Sequence, residues 1–216
     1  MQLQVCEIFH SIQGEASFSG QPCVFVRLAG CNLRCVWCDT KYAFAGGEPM
    51  SVEDIVRKVL AYRCDVVELT GGEPMMQPEG ACLLMARLLS EGLTVLLETN
   101  GACCLDDVPH GVHRIIDLKP PGSGTAHRAD IWAGYAAHWR DTDEIKCVVT
   151  GRSDFDWCVE KLKIYNALGR VIIHFSPVWG AVEASELVRW ICDSRLPVRL
   201  SLQIHKVIWD PDCRGV

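Results

Sequence analysis

A chain of 216 residues, 49% hydrophobic and 22% charged, has enough apolar material to bury one core without disulfide support. Its net charge of −6 excludes the broad basic footprint of a nucleic-acid binder, and no apolar run approaches membrane-spanning length. The first residues lack a basic stretch followed by an apolar core, so the expectation is a single cytoplasmic domain over residues 1–216 with reduced thiols, binding neither nucleic acid nor membrane.

In chain order, residues 24–28 form a β-rich run that delivers the chain to a cysteine loop. Ser51 precedes two acids and a periodic apolar stretch, so it reads as the cap of a helix running to about residue 61. Residues 65–70 predict a short strand. Residues 80–89 carry apolar groups at helical spacing until Gly92 stops them, and residues 94–98 resume as strand. Further strands are expected over 113–118, 144–149 and 171–175. Between the last two lies a helix over 154–168, with Ser153 as cap and Gly169 at its end. A helix over 183–192 precedes a final strand over 198–203.

This alternation predicts a mostly parallel sheet covered by helices, a fold in which binding groups gather on the loops after the strands. Those positions hold the unusual sequences: Thr70-Gly71-Gly72-Glu73-Pro74, Thr99-Asn100-Gly101, Lys119-Pro120-Pro121-Gly122 and Ser176-Pro177. In the first of them, two glycines let a ligand approach the peptide groups, and Glu73 can position an amine-bearing partner.

Cys31, Cys35 and Cys38 follow the first predicted strand. Three thiolates leave one corner of an iron–sulfur cubane free to bind a small molecule, whereas electron-carrying clusters and structural zinc normally take four protein ligands. On spacing alone zinc and iron–sulfur stand level, because Cys23, Cys64, Cys103, Cys104 or a histidine could complete a zinc tetrahedron. A disulfide framework fits less well: 13 cysteines leave one over, and many sit singly in apolar runs.

The CxxxCxxC loop, with aromatic Trp37 just before its last cysteine, followed by Gly71-Gly72-Glu73-Pro74, resembles the radical S-adenosylmethionine (SAM) superfamily. That resemblance implies an α/β fold of the partial (β/α)-barrel type and a [4Fe-4S] cluster on Cys31, Cys35 and Cys38. It also implies SAM chelated to the open iron and cleaved reductively to a 5′-deoxyadenosyl radical that abstracts hydrogen from substrate. A radical SAM activase acting on a glycine of a partner protein would share the cysteine triad, and a zinc-bound interaction module would need no catalysis.

The chain resembles the 7-carboxy-7-deazaguanine synthase family over nearly its whole length. The match runs through residues 7–15, 24–31 and 38–40, then through Thr70-Gly71-Gly72-Glu73-Pro74, Glu98-Thr99-Asn100-Gly101, Asp117-Leu118-Lys119, Glu144-Ile145-Lys146 and residues 201–206. This implies a carbon–nitrogen lyase that converts 6-carboxy-5,6,7,8-tetrahydropterin into 7-carboxy-7-deazaguanine with loss of ammonia, towards 7-deazapurines such as queuosine precursors. The hydrogen abstraction falls to the SAM-derived radical rather than to a side chain.

The resemblance implies substrate contacts at Ile12, Gln13, Gly14, Arg27, Thr70 and His205. Its SAM contacts are Trp37, Cys38, Asp39, Gly72, Glu73, Asp117, Leu118, Lys119, Ser176, Pro177, Val178 and Trp179. Thr40 is implied as a magnesium ligand, flavodoxin or ferredoxin as electron donor, and a homodimer as the assembly. A pterin presents a flat array of donors and acceptors that Gln13 can meet, and the planar fork of Arg27 suits a carboxylate. The structural alternatives are a polar turn at Gln13 and Glu15, a strand-face ion pair at Arg27, a turn cap at Thr40 and ordinary strand-end polarity at Asn100 and Lys146. Some members end at a proline whose carboxylate contributes to the site. Here Pro211 is followed by five more residues, which departs from that pattern.

Overall fold

Apolar and polar residues alternate along the central strands, and this gives the sheet two unlike faces. Val67, Leu69, Val95, Leu97, Ile116, Ile145, Cys147, Ile173 and Phe175 belong to one buried apolar cluster. The residues between them include Glu68, Thr70, Glu98, Asp117, Lys146, His174 and Ser176, and most of these are buried on the opposite face. Parallel strands covered on both sides ordinarily read as continuous apolar runs. Here the second face is an interior that needs polar partners.

The computed structural model describes residues 1–211 and 213–215. Its strands are β1 (Gln2–Ile12), β2 (Pro22–Leu28), β3 (Glu48–Ser51), β4 (Val66–Gly71), β5 (Thr94–Thr99), β6 (His113–Asp117), β7 (Glu144–Val149), β8 (Ile172–Pro177) and β9 (Arg199–Leu200). They form one sheet in the order β3-β1-β2-β4-β5-β6-β7-β8-β9. The pairs β1–β2 and β1–β3 are antiparallel, and every pair from β2 to β9 is parallel. The helices are α1 (Val52–Ala61), α2 (Pro78–Ser90), α3 (Ala129–Ala137), α4 (Arg152–Ile164), α5 (Ala184–Ser194) and the single turn α6 (His205–Ile208).

The chain after β9 returns to the loop after β1. The backbone N–H of Ile204 donates to the Gly14 carbonyl at 3.0 Å, that of Ala16 donates to Ser201 Oγ at 3.1 Å, and Gln203 Nε2 donates to Glu15 Oε1 at 2.9 Å. These bonds join distant parts of the sheet into a partial barrel. Inside it, the turn at Ala16–Phe18 lies against β6 and β7, where Ser17 N donates to Glu144 Oε2 and the Phe18 ring meets His113 edge-on.

Ser51 caps α1 as expected, accepting from Asp54 N at 3.1 Å. The expected cap of α4 is corrected. Ser153 lies inside the helix, and the buried Asp154 carboxylate accepts instead from Thr150 N, Thr150 Oγ1 and Gly122 N, so a side chain in the first turn closes the helix onto the neighbouring loop. That helix ends at Ile164 rather than at residue 168. β1 and α3 were not expected. The final strand shrinks to two residues because Ser201 and Gln203 bond to the β1 loop. All thirteen cysteines are free.

Arg114 on β6 pairs through two nitrogens with Asp143, at side-chain exposures of 5% and 0%. Asp143→Ala strands a buried guanidinium and is expected to destabilise the fold by about 3–5 kcal/mol in urea unfolding, whereas an exposed pair would cost under about 1 kcal/mol.

Candidate active site

A cavity of about 650 Å³ opens at the carboxyl ends of the parallel strands, between the cysteine loop and the interior face of the sheet. Cys31, Cys35, Trp37 and Cys38 form one side, and Gln13, Arg27, Glu68, Thr70, Glu98 and Lys146 form another.

Close backbone packing sets the cysteine loop. A Cβ on Gly72 would lie 2.2 Å from the Gly30 carbonyl, and one on Gly71 would lie 2.3 Å from that of Leu28. Both glycines therefore bring the end of β4 against the approach to Cys31, and Glu73 N donates to Gly30 O at 2.7 Å. Cys31 Sγ accepts from Leu33 N at 3.4 Å and from Asn100 Nδ2 at 3.9 Å, and the same amide of Asn100 donates to Asn32 Oδ1.

Glu73 sits differently from its expected place. Its carboxylate is fully buried and accepts from Met75 N, Thr99 Oγ1 and Asn100 N, which locks two strand-end loops together rather than facing the cavity. Burial pushes this carboxyl up to about 7.

Lys146 lies at the centre of the interior face. Its ammonium is 2.8 Å from Glu15 Oε2 and 3.7 Å from Asp117 Oδ1, and it also bonds Glu98. Burial disfavours the charge, but Asp117, Glu15 and Glu98 outweigh it and hold Lys146 protonated well above the ordinary lysine range. Gln13 Nε2 donates to Glu68, while its Oε1 accepts from Glu15 N at 3.1 Å. Burial, reinforced by Glu98, raises the Glu68 carboxyl well above normal. Thr70 Oγ1 reaches Glu98 Oε2 at 3.4 Å.

Arg27 and Thr40 both line the cavity. The Arg27 Nε donates to Glu7 Oε1 at 2.7 Å, so the expected carboxylate fork is also the ion pair of the structural alternative. Thr40 precedes a 3-10 turn but makes no side-chain cap. Its Oγ1 donates to Asp39 Oδ1 at 2.9 Å, and Asp39 Oδ2 accepts from Lys206 at 2.6 Å. The Lys206 charge, opposed by burial, draws the Asp39 carboxyl down to about 2.

Ile12, Gly14 and His205 share one edge of the cavity, with the His205 ring packed where a Gly14 side chain would project. Lys119 borders the cavity near Cys35 and bonds Asp117 Oδ2 at 2.6 Å. Val178 and Trp179 also line it. Ser176 is fully buried at the end of β8, beside Pro177. The Leu118 side chain lies in the helix-side core, between Asp117 and Lys119, which both line the cavity.

Two orphaned oxygens fit the SAM that the resemblance implied. Ser176 Oγ and Asp117 Oδ1 are buried without a hydrogen-bond partner among the described residues, both at carboxyl ends of strands where an adenosyl or amino-acid group would supply one. Among the described residues no three His, Cys, Asp or Glu side chains are gathered as ligands of a single ion.

Glu68, Glu98 and Lys146 were not singled out as site residues. Their signal was present as lone charged residues at alternate positions of apolar strands, as in Val67-Glu68-Leu69 and Ile145-Lys146-Cys147.

Residues 26–115 match the family model described as the Radical SAM superfamily. A 7-carboxy-7-deazaguanine synthase of Chlorobaculum tepidum is 44% identical over 99% of this chain and 97% of its own length, and one of Koribacter versatilis is 39% identical over 99% and 100%. The chain belongs to the 7-carboxy-7-deazaguanine synthase family. As a member it is a radical SAM enzyme, a class defined by a [4Fe-4S] cluster and SAM. The crystal structure of QueE from Escherichia coli shares the fold, with a TM-score of 0.74 at 24% identity covering 94% of each chain. These relatives favour neither the activase nor the zinc module.

The buried Glu73 makes stability depend on pH. Its folded-state pKa of about 7 lies above the ordinary 4.5, so its contribution is complete below about pH 4.5 and is lost as pH rises through 7, a fall of about 3 kcal/mol. Glu73→Gln should flatten that part of the pH profile in urea unfolding. An unchanged slope would place the titration elsewhere.

Proposed function

We propose that this chain converts 6-carboxy-5,6,7,8-tetrahydropterin into 7-carboxy-7-deazaguanine with loss of ammonia, a carbon–nitrogen lyase reaction on the path to 7-deazapurines. The observation that carries this reading is the interior wall itself. An amide, three carboxyl groups, an ammonium and a guanidinium, from Gln13, Glu68, Glu15, Glu98, Lys146 and Arg27, face the cysteine loop across one cavity. A flat heterocycle with donors and acceptors on several edges satisfies such a wall, and an aliphatic or peptide substrate would leave most of it unpaired.

Cys31, Cys35 and Cys38 would hold the cluster, and the orphaned Asp117 and Ser176 oxygens together with the backbone at Gly72 would hold SAM. The chemistry available there, once both are bound, is hydrogen abstraction by a carbon radical. The protein residues do the rest. Glu68, Glu15 and Glu98 supply carboxyl oxygens to the ring and amino hydrogens of the pterin. Lys146 keeps Glu15 and Glu98 fixed in place. The turn at Ala16–Phe18 closes the far end of the interior against water.

Magnesium at Thr40 belongs to this reading, because the hydroxyl and the Asp39 carboxylate supply oxygen ligands and leave coordination positions for substrate oxygens. So do a cytoplasmic homodimer and electron delivery by flavodoxin or ferredoxin. Val36, between two of the cysteines, is 64% exposed, which puts the cluster loop within reach of such a donor.

Protein reconstituted anaerobically with iron and sulfide should cleave SAM and, given the carboxytetrahydropterin, release ammonia and 7-carboxy-7-deazaguanine. Active SAM cleavage with no turnover of that pterin would refute the substrate assignment. Thr40→Ala should leave the cluster's absorption intact and weaken magnesium-dependent turnover about tenfold or more, as for loss of a metal-coordinating contact. An undiminished magnesium response would remove Thr40 from the ligand set.

A further inference from the structure

The residues beyond α6 return to the cavity. Pro211, Cys213, Arg214 and Gly215 all line it, on the side of Arg27 and Tyr42. Arg214 Cζ stands 4.0 Å from the centroid of the Tyr42 ring, and Arg27 Cζ stands 5.9 Å from the same centroid. Tyr42 O–H donates at 2.8 Å to Glu7 Oε1, the same oxygen that accepts from Arg27 Nε. A carboxylate on the phenol oxygen enriches the ring and strengthens its hold on a cation stacked over it.

At this end of the cavity the Arg27–Glu7 pair is balanced, and Arg214 adds to it. Arg27 is neutralised by Glu7, so an anion approaching its free nitrogens also meets the Glu7 carboxylate. Among the described residues Arg214 forms no ion pair, and its contact is the Tyr42 ring. Among the described residues it therefore adds an unpaired positive charge beside the guanidinium that already faces the cavity, held by a stack on the Tyr42 ring.

We propose that Arg214 is a specificity residue that joins Arg27 in binding the substrate's carboxylate, so that the site selects carboxylated over uncarboxylated pterins. This rests on the pterin reading above and adds which group of the substrate is recognised, and by what.

Anaerobic titration calorimetry on the reconstituted full chain tests it, using 6-carboxy-5,6,7,8-tetrahydropterin and tetrahydropterin lacking the carboxylate. Arg214→Ala should weaken the carboxylated ligand about tenfold, the size expected for one charge-assisted contact, and leave the uncarboxylated one unchanged. Arg214→Lys should recover part of the loss. Tyr42→Leu, which removes the platform, should reproduce Arg214→Ala, while Tyr42→Phe should keep most of the discrimination. SAM cleavage without substrate should be the same in all four variants. If Arg214→Ala binds both ligands as the unaltered chain does, or weakens both equally, the inference is wrong and the pterin reading stands. If the unaltered chain binds SAM but neither pterin, the reading and the inference fall together.

Discussion

The buried ammonium of Lys146 draws Glu15, Glu98 and Asp117 together from the loop after β1, from β5 and from the end of β6. A buried charge of either sign is costly alone, and the interior face carries carboxylates on several neighbouring strands. Without the lysine those carboxylates would repel one another or take up protons. With it, three carboxyl groups gather on one ammonium while burial raises the pKa of Glu68 beside them, so the wall presents unlike polar groups at fixed places. The plug formed by the β1 loop shares that contact, because Glu15 is one of the residues, with Gln13, Ser17 and Phe18, through which the loop meets the sheet.

The site is built where two kinds of close packing meet. On the cysteine side, Gly71 and Gly72 let one strand end lie directly on the backbone before Cys31, and the inward-turned Glu73 binds the loops after β4 and β5 to each other. The thiols are thus borne on a frame anchored from below. On the opposite side, Gly14 leaves the space that the His205 ring fills, and the bonds of Ala16 and Ile204 bring the end of the chain back to its start. The cavity is what lies between these two anchored edges.

Most of the fold was legible because its signals are local. The periodic apolar stretches gave α1, α2, α4 and α5, and the cap at Ser51 formed as read. α3 was missed because its residues are apolar nearly all round and it lacks a side-chain cap. What holds it is tertiary: Trp132 and Tyr135 pack into an aromatic group with Trp139 and Tyr165. β1 was missed as a strand although Leu3 and Val5 alternate with polar neighbours, because an antiparallel strand near a sheet edge carries polar residues that also suit a turn.

The sequence by itself determined the cysteine spacing, the glycine pair and the polar alternation of the strands, because each is a pattern within one segment. It could not determine what those polar groups do. Whether Glu73 faces a ligand or turns inward, whether Arg27 is free or paired with Glu7, and whether Lys146 is an ordinary strand-end residue or the centre of the interior all depend on partners from distant segments. Only the tertiary structure brings those partners within hydrogen-bonding reach, and in a buried interior the identity of the nearest opposite charge decides protonation, orientation and role.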